Sequence, residues 1–367
     1  MGRRIVLILD KQLFRNSIIT MYPSYVKKAI LKQAVTDGLV IDDKRKDGQM
    51  SLNLNNSIDV SDDLTIDAKF EKITESDAVL ASIEDYEYRK PYRQFCYFEY
   101  SNFLSEKVAQ LVDGSKLMVF DKTKQKMVDS FDIPTVRTIG KSIIFKFSHK
   151  LQDDSGHVIK YVILAIIDTD TGILEIRFDK VGIAYKNSYT YYKDKISAIL
   201  KFFIDKLELT FTSIDFKAVV DYIKSKKDDI TIFAQRMNRN GSTAYLEAYD
   251  GDDITIPILG ELDSFITNNE VLFASNDQTE YIKCKLQEFL KEIEVKSDVP
   301  MVKVRMDESG IRFGITHNYK DTEYSMFMLY GELVGEEMMG SVKEYLMQCY
   351  KELRAVVSTD SIPTGEV

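Results

Sequence analysis

With 367 residues, the chain is longer than the commonest single domain and fits two or three. Its 44% hydrophobic and 29% charged residues exclude a disordered chain, and 6 prolines with 17 glycines argue for long regular elements. Three separated cysteines (Cys96, Cys284, Cys349) and three scattered histidines (His149, His157, His317) argue against a disulfide framework, a thiolate zinc site and a histidine metal centre.

Residues 5–9 form an apolar run shorter than the ~7–15 residues of a secretory core, and they read as a short buried strand. No run approaches the ~18 apolar residues of a spanning helix, so a cytoplasmic protein with no membrane partner is expected. Ser24 can cap a helix reaching about Thr36, with Gly38 positioned to end it. Its residues Val26, Ala29, Ile30 and Ala34 share a side, and Lys27, Lys28 and Lys32 lie largely away from them. Residues 42–63 read as a polar loop with one edge strand at 51–54. Ser101 can cap a helix over 102–112 with Phe103, Leu104, Val108 and Leu111 as its stripe. A strand follows at 116–120, and Pro134 marks a break.

The second half is more periodic. Residues 143–147 and 158–167 are rich in β-branched and aromatic residues; the turn cluster from Asp168 to Gly172 leads to a paired strand at 173–178. Ile196, Ile199, Leu200, Phe203 and Leu207 predict a helix over 191–207, and another follows Asp215 with Phe216, Val219, Val220 and Ile223 inward. Strands at 230–236 and 243–249 flank Asn238-Arg239-Asn240-Gly241, a tight turn because Asn and Gly accept positive φ cheaply. Ile282, Leu286, Phe289, Leu290 and Ile293 form a helical stripe. A three-strand meander follows at 301–306, 311–317 and 323–329, and Val342, Tyr345, Leu346, Cys349 and Leu353 give a last helix. The fold class is therefore α+β: antiparallel hairpin or meander units, each covered by a following helix. The expected division is 1–135, then 136–357 (divisible near 228), then a flexible tail at 358–367, with the border between 129 and 140.

Charge is unevenly spread. Residues 1–46 carry +6, 47–87 carry −9, 88–150 carry +6 and 151–367 carry −12. Within the second basic block, residues 86–98 interleave bases with aromatics. Arg89, Lys90, Tyr92 and Arg93 suit single-stranded nucleic acid, since cations neutralise phosphates and rings stack unpaired bases. The commoner reading of this pattern is a half-buried strand with its rings inward. Arg236 and Arg239 at a hairpin tip form a second candidate contact for nucleic acid, although exposed turns are often charged for solubility alone. The Met-rich end and the acidic run at 59–87 suit core filling and a solvated face, respectively.

The nearest approach to metal-dependent nuclease chemistry is Asp168, Asp170 and Glu175, carboxylates that a hairpin could bring together around a divalent cation. Glu175 and Arg177 alternate with Leu174, Ile176 and Phe178, which equally suits the outer side of a strand. Closely spaced phosphate-binding glycines, a nucleophile elbow and the kinase signatures are missing from the sequence. These features favour a non-enzymatic binding or scaffold subunit of an intracellular assembly, without cofactor, whose expected partner is another protein subunit, with nucleic acid as a further candidate. A metal-dependent nuclease and a purely protein-binding module are the alternatives.

Overall fold

The computed structural model describes residues 2–42, 57–62, 65–248, 259–333, 335 and 337–360. The architecture is α+β, with mostly antiparallel sheets. Two compact units divide the chain, Met1–Ser213 and Ile214–Val367.

The first unit begins with helices α1 (Gly2–Met21) and α2 (Ser24–Thr36), short parallel strands β1 (Val40–Ile41) and β2 (Ile58–Asp59), and helices α3 (Ile66–Ile73) and α4 (Asp77–Arg89). Strand β3 (Gln94–Ser101), helix α5 (Ser105–Asp113) and strands β4 (Met118–Val119), β5 (Thr135–Ile139), β6 (Ser142–Gln152), β7 (Val158–Asp168) and β8 (Ile173–Phe178) follow. Helix α6 (Tyr191–Leu207) and strand β9 (Thr210–Ser213) close the unit. The sheet runs β3-β8-β7-β6-β5-β4, with β9 also on β3; only β4–β5 is parallel.

Side chains alternate across this sheet. One face packs under α6, where Phe145 meets Phe203 edge-on at 5.0 Å and Phe178 stacks on Tyr192 at 5.3 Å. The register puts Thr135, Lys146, Ser148, Lys160, Glu175 and Arg177 on the other face. A neighbouring helical core joins Ile18, Ile30, Ala34, Phe70, Ile73, Leu80 and Ile83.

Several local expectations change. Residues 5–9 lie in α1, not in a strand: a five-residue apolar run fits either element, and the following turns bury Phe14 and Ile18 at helical spacing. Helix α2 has the expected bounds, but its cap position is Pro23 and Ser24 is the first helical residue. Lys27, expected outside, is buried, with its ammonium donating to the Ile19 carbonyl and pairing with Asp67 at 2.5 Å. The helix expected from residue 102 starts at Ser105, because Ser101 is still paired in β3 with Thr210. The edge strand at 51–54 lies outside the described residues. Pro134 precedes β5, and the strands on both sides of it, β4 and β5, pair within the first unit.

The second unit consists of helix α7 (Phe216–Lys226), the hairpin β10 (Ile230–Arg239) and β11 (Ser242–Glu247), helices α8 (Leu259–Asn268), α9 (Glu270–Phe273) and α10 (Asp277–Lys296), and the meander β12 (Asp298–Met306), β13 (Arg312–Thr316) and β14 (Met326–Leu329). Helix α11 (Met338–Asp360) ends it. Within this unit the strand order is β11-β10-β12-β13-β14, all antiparallel. Val302, Val304, Phe313, Ile315, Phe327 and Leu329 occupy one face and are buried; Phe216 of α7 packs edge-on against Phe327 at 4.8 Å. The expected tail at 358–367 begins inside α11, and 361–367 lie outside the described residues.

Candidate nucleic-acid interface

Strand alternation fixes what the other face of the β10–β14 sheet carries. Burying Val302 and Val304 turns Lys303 and Arg305 the opposite way, and the register brings Gly314 beside Lys303 and Arg312 beside Arg305. On β10, Arg236 lies between Tyr245 of β11 and Met301 of β12. A bulge between Ile232 and Ala234 breaks the alternation, and Phe233 comes within cation–π range of Lys303 and Arg312, at 6.0 and 5.6 Å.

Lys303 is the hub of this face. Its ammonium lies 5.2 Å from the ring centroids of both Tyr245 and Tyr330. It also sits 3.5 Å from Glu247, which accepts a 2.7 Å hydrogen bond from the Tyr245 hydroxyl. Burial works against the lysine's charge, but Tyr245 and Glu247 hold its pKa above the usual lysine value. Gly314 is the reason Tyr330 can lie across β13: a Cβ there would fall 2.8 Å from the tyrosine oxygen. Arg305 donates to the Thr231 hydroxyl at 3.2 Å and pairs with Asp307 at 3.2 Å. Arg236 and Arg312 are exposed, and Tyr245 is 47% exposed. Four bases and three rings therefore share one sheet face with two acids, Glu247 and Asp307.

Of the residues expected from sequence, Arg236 belongs to this face. Arg239 is half-buried beside the turn, opposite Ser242; Asn240 and Gly241 form the tip with φ of +49° and +75°. Both turn residues thus need the left-handed region that Asn and Gly tolerate.

The stretch 86–98 is not one strand. Helix α4 continues to Arg89, and β3 starts at Gln94. Arg89 binds Asp85 at 2.9 Å, and buried Lys90 pairs with Asp179 while its ammonium lies 3.8 Å over the Tyr92 ring. Tyr92 is fully buried and donates to the Glu87 carbonyl at 2.7 Å. The backbone N–H of half-buried Arg93 donates to Asp179 at 3.2 Å.

Asp168, Asp170 and Glu175 each have a local partner. Asp168 accepts the backbone N–H groups of Asp170 and Thr171 at 3.1 and 3.3 Å, closing its own turn. Exposed Asp170 pairs with Lys141 at 2.6 Å. Glu175 is buried, not on an outer strand face, and forms a two-point contact with Arg177 at 2.7 and 2.8 Å. Among the described residues, no group of three or more His, Cys, Asp or Glu side chains is placed to hold a metal ion.

A second charged constellation lies under α4 in the first unit and was missed in the sequence. Lys146 Nζ lies 3.0 Å from each of Glu84, Glu87 and Asp129, all fully buried. Lys160 pairs with Glu87 at 2.7 Å and also with Asp129, which accepts from Ser148 at 2.7 Å. Tyr22 donates to Glu87 at 2.7 Å. Burial opposes ionisation of Asp129, yet Lys146 and Lys160 hold its pKa far below the usual range. For Glu84 burial dominates and raises the pKa; one oxygen accepts from Val128 N–H at 2.9 Å, and the other faces Lys146 without hydrogen-bond alignment. Of the three carboxyl groups around Lys146, Glu84 is the one whose charge burial disfavours most. The available signal was Lys146 inside the apolar run Ile143–Phe147, a charge where a central strand should have none.

No known protein-family model and no curated protein matches the chain. Among the described residues, no helix is long and apolar enough to cross a membrane.

Proposed function

We propose that the chain is a non-enzymatic binding subunit of a cytoplasmic assembly and holds single-stranded nucleic acid on the face of β10–β14 that carries Lys303. The observation supporting this reading is the interleaving of Arg236, Lys303 and Arg312 with Phe233, Tyr245 and Tyr330 on one partly exposed sheet face. Cations there neutralise phosphates, while a half-exposed ring offers a stacking surface that any base can use. The stretch 89–93 supports the same reading less well, because Tyr92 is buried and Arg89 and Lys90 already bind carboxylates. The cleavage reading has less support still, since Asp168, Asp170 and Glu175 are each engaged locally.

The net charge of −9 opposes long-range attraction to a polyanion, so affinity arises from short-range contacts. The test is fluorescence anisotropy with a labelled 15-residue oligothymidylate at graded salt. Three phosphate contacts give a slope of about −2 for log affinity against log salt. Tyr245→Ala weakens binding by about 5- to 150-fold, the ~1–3 kcal/mol of one stacked base. Replacing Arg236, Lys303 and Arg312 together by Gln flattens the salt slope, whereas Arg89→Gln leaves it unchanged. Absence of binding at 20 mM salt by the folded chain, or binding indifferent to these substitutions, refutes the proposal.

A further inference from the structure

An amphipathic helix normally buries its apolar stripe. Helix α10 has one, Ile282, Leu286, Phe289, Leu290 and Ile293, yet only its inner edge is covered: Leu290 is 9% exposed, against 51% for Ile282 and for Phe289. The neighbouring helices repeat the pattern. In α8, Ile266 is buried while Phe265 is 57% exposed, and in α9 Val271 and Leu272 are 85% and 67% exposed. A Lys283–Glu270 ion pair of 2.7 Å ties α10 to α9. Single exposed apolar residues are ordinary, but a run of them on three joined helices marks an interaction surface.

Charge selects what covers it. Residues 259–296 contain eight acidic side chains against four lysines. Lys283 is taken by Glu270, with Glu280 also near it, and Lys285 by Glu288; among the described residues Asp263 and Asp277 are exposed with no ion pair on them. A second copy would set one acidic rim against another, and an anionic lipid surface would be repelled likewise. A partner with apolar side chains on one face and Lys or Arg on the other meets both requirements. We propose that helices α8–α10 form a docking surface for a basic, amphipathic helical segment of another protein. The surface uses different residues from the β10–β14 face and stands independently of the nucleic-acid reading.

The chain contains no tryptophan, so Phe289→Trp installs a single reporter on the uncovered stripe. The probe is an 18-residue peptide with leucine at helical i, i+3, i+4, i+7 spacing and lysine elsewhere. Its addition is expected to shift the Trp emission to the blue saturably, and raising salt from 50 to 500 mM should weaken binding at least tenfold. Ile282→Ser or Val271→Ser in the Phe289→Trp background should also weaken it at least tenfold, with unchanged circular dichroism. A leucine/glutamate peptide of the same pattern is expected to give no shift. Equal response to that peptide, response to a scrambled leucine/lysine peptide, or none to either overturns the proposal. So does a blue shift on phosphatidylcholine/phosphatidylglycerol vesicles, or one that grows with protein concentration alongside dimerisation in sedimentation. Should Phe289→Trp fail to fold, Tyr281→Trp serves as the reporter under the same criteria.

Discussion

The layer under α4 and the Lys303 face of β10–β14 are built from the same residue types but differ in how far they are exposed. Each sets lysines and arginines beside tyrosine rings and carboxylates on a β-sheet. Under α4 the helix covers the sheet, and Lys146 and Lys160 are consumed by Glu84, Glu87 and Asp129. On the β10–β14 face, Lys303 has one distant carboxylate and three rings, and Arg236 and Arg312 remain exposed. A buried charge must be matched where it stands, because water cannot solvate it; a half-exposed charge can wait for an external anion. Exposure, rather than residue type, separates the structural ion cluster from the proposed binding surface.

The sharpest way to break this contrast is to truncate the two hub lysines. Lys146→Met strands three buried carboxylates with Lys160 alone and is expected to cost about 3–5 kcal/mol in urea denaturation. Lys303→Met, on a partly exposed face, is expected to cost less than about 1 kcal/mol while weakening oligothymidylate binding. Equal costs for the two would place both lysines in the same category.

Within the buried layer, charge state sharpens the picture. Burial raises the Glu84 pKa, so its charge is the least favoured of the three and the near-isosteric Glu84→Gln is expected to cost less than loss of the Asp129 charge, about 1 kcal/mol. Asp129 is held ionised by Lys146 and Lys160, so Asp129→Asn is expected to cost about 3–5 kcal/mol. Reversal of that order would show that Asp129, not Glu84, carries the less favoured charge.

The smallest expected effect is on pH dependence in the second unit. Burial, aided by the nearby Lys217 charge, lowers the pKa of His317 from 6.5 to about 4. The unfolded chain then binds a proton at a higher pH than the folded one does. His317 therefore contributes stability at neutral pH that is lost as pH falls from about 6.5 to about 4. Burial and Lys195 lower the pKa of His149 in the first unit to about 4 as well, adding loss over the same window. His317→Gln is expected to make the fall in melting temperature across that window shallower, whatever its offset at pH 7. An unchanged profile in calorimetry would show that His317 does not titrate there.

Local sequence determined much of the fold. Helices α2, α6 and α7, the β6–β8 strands, the Asn240-Gly241 hairpin and the final meander all follow from periodicity and turn chemistry, which act within a few residues. Tertiary structure decided the rest. Whether 5–9 became helix or strand was settled by its continuation into turns that bury Phe14 and Ile18 at helical spacing. Whether residues 89–93 offered free cations depended on Asp85, near in sequence, and on Asp179, eighty-nine residues from Lys90. The Lys303 face required register across β10–β13, a bulge at Phe233 and the missing side chain of Gly314 beneath Tyr330. Alternation along one strand says which residues share a face; only strand pairing and burial say which faces meet water and which distant charges become neighbours.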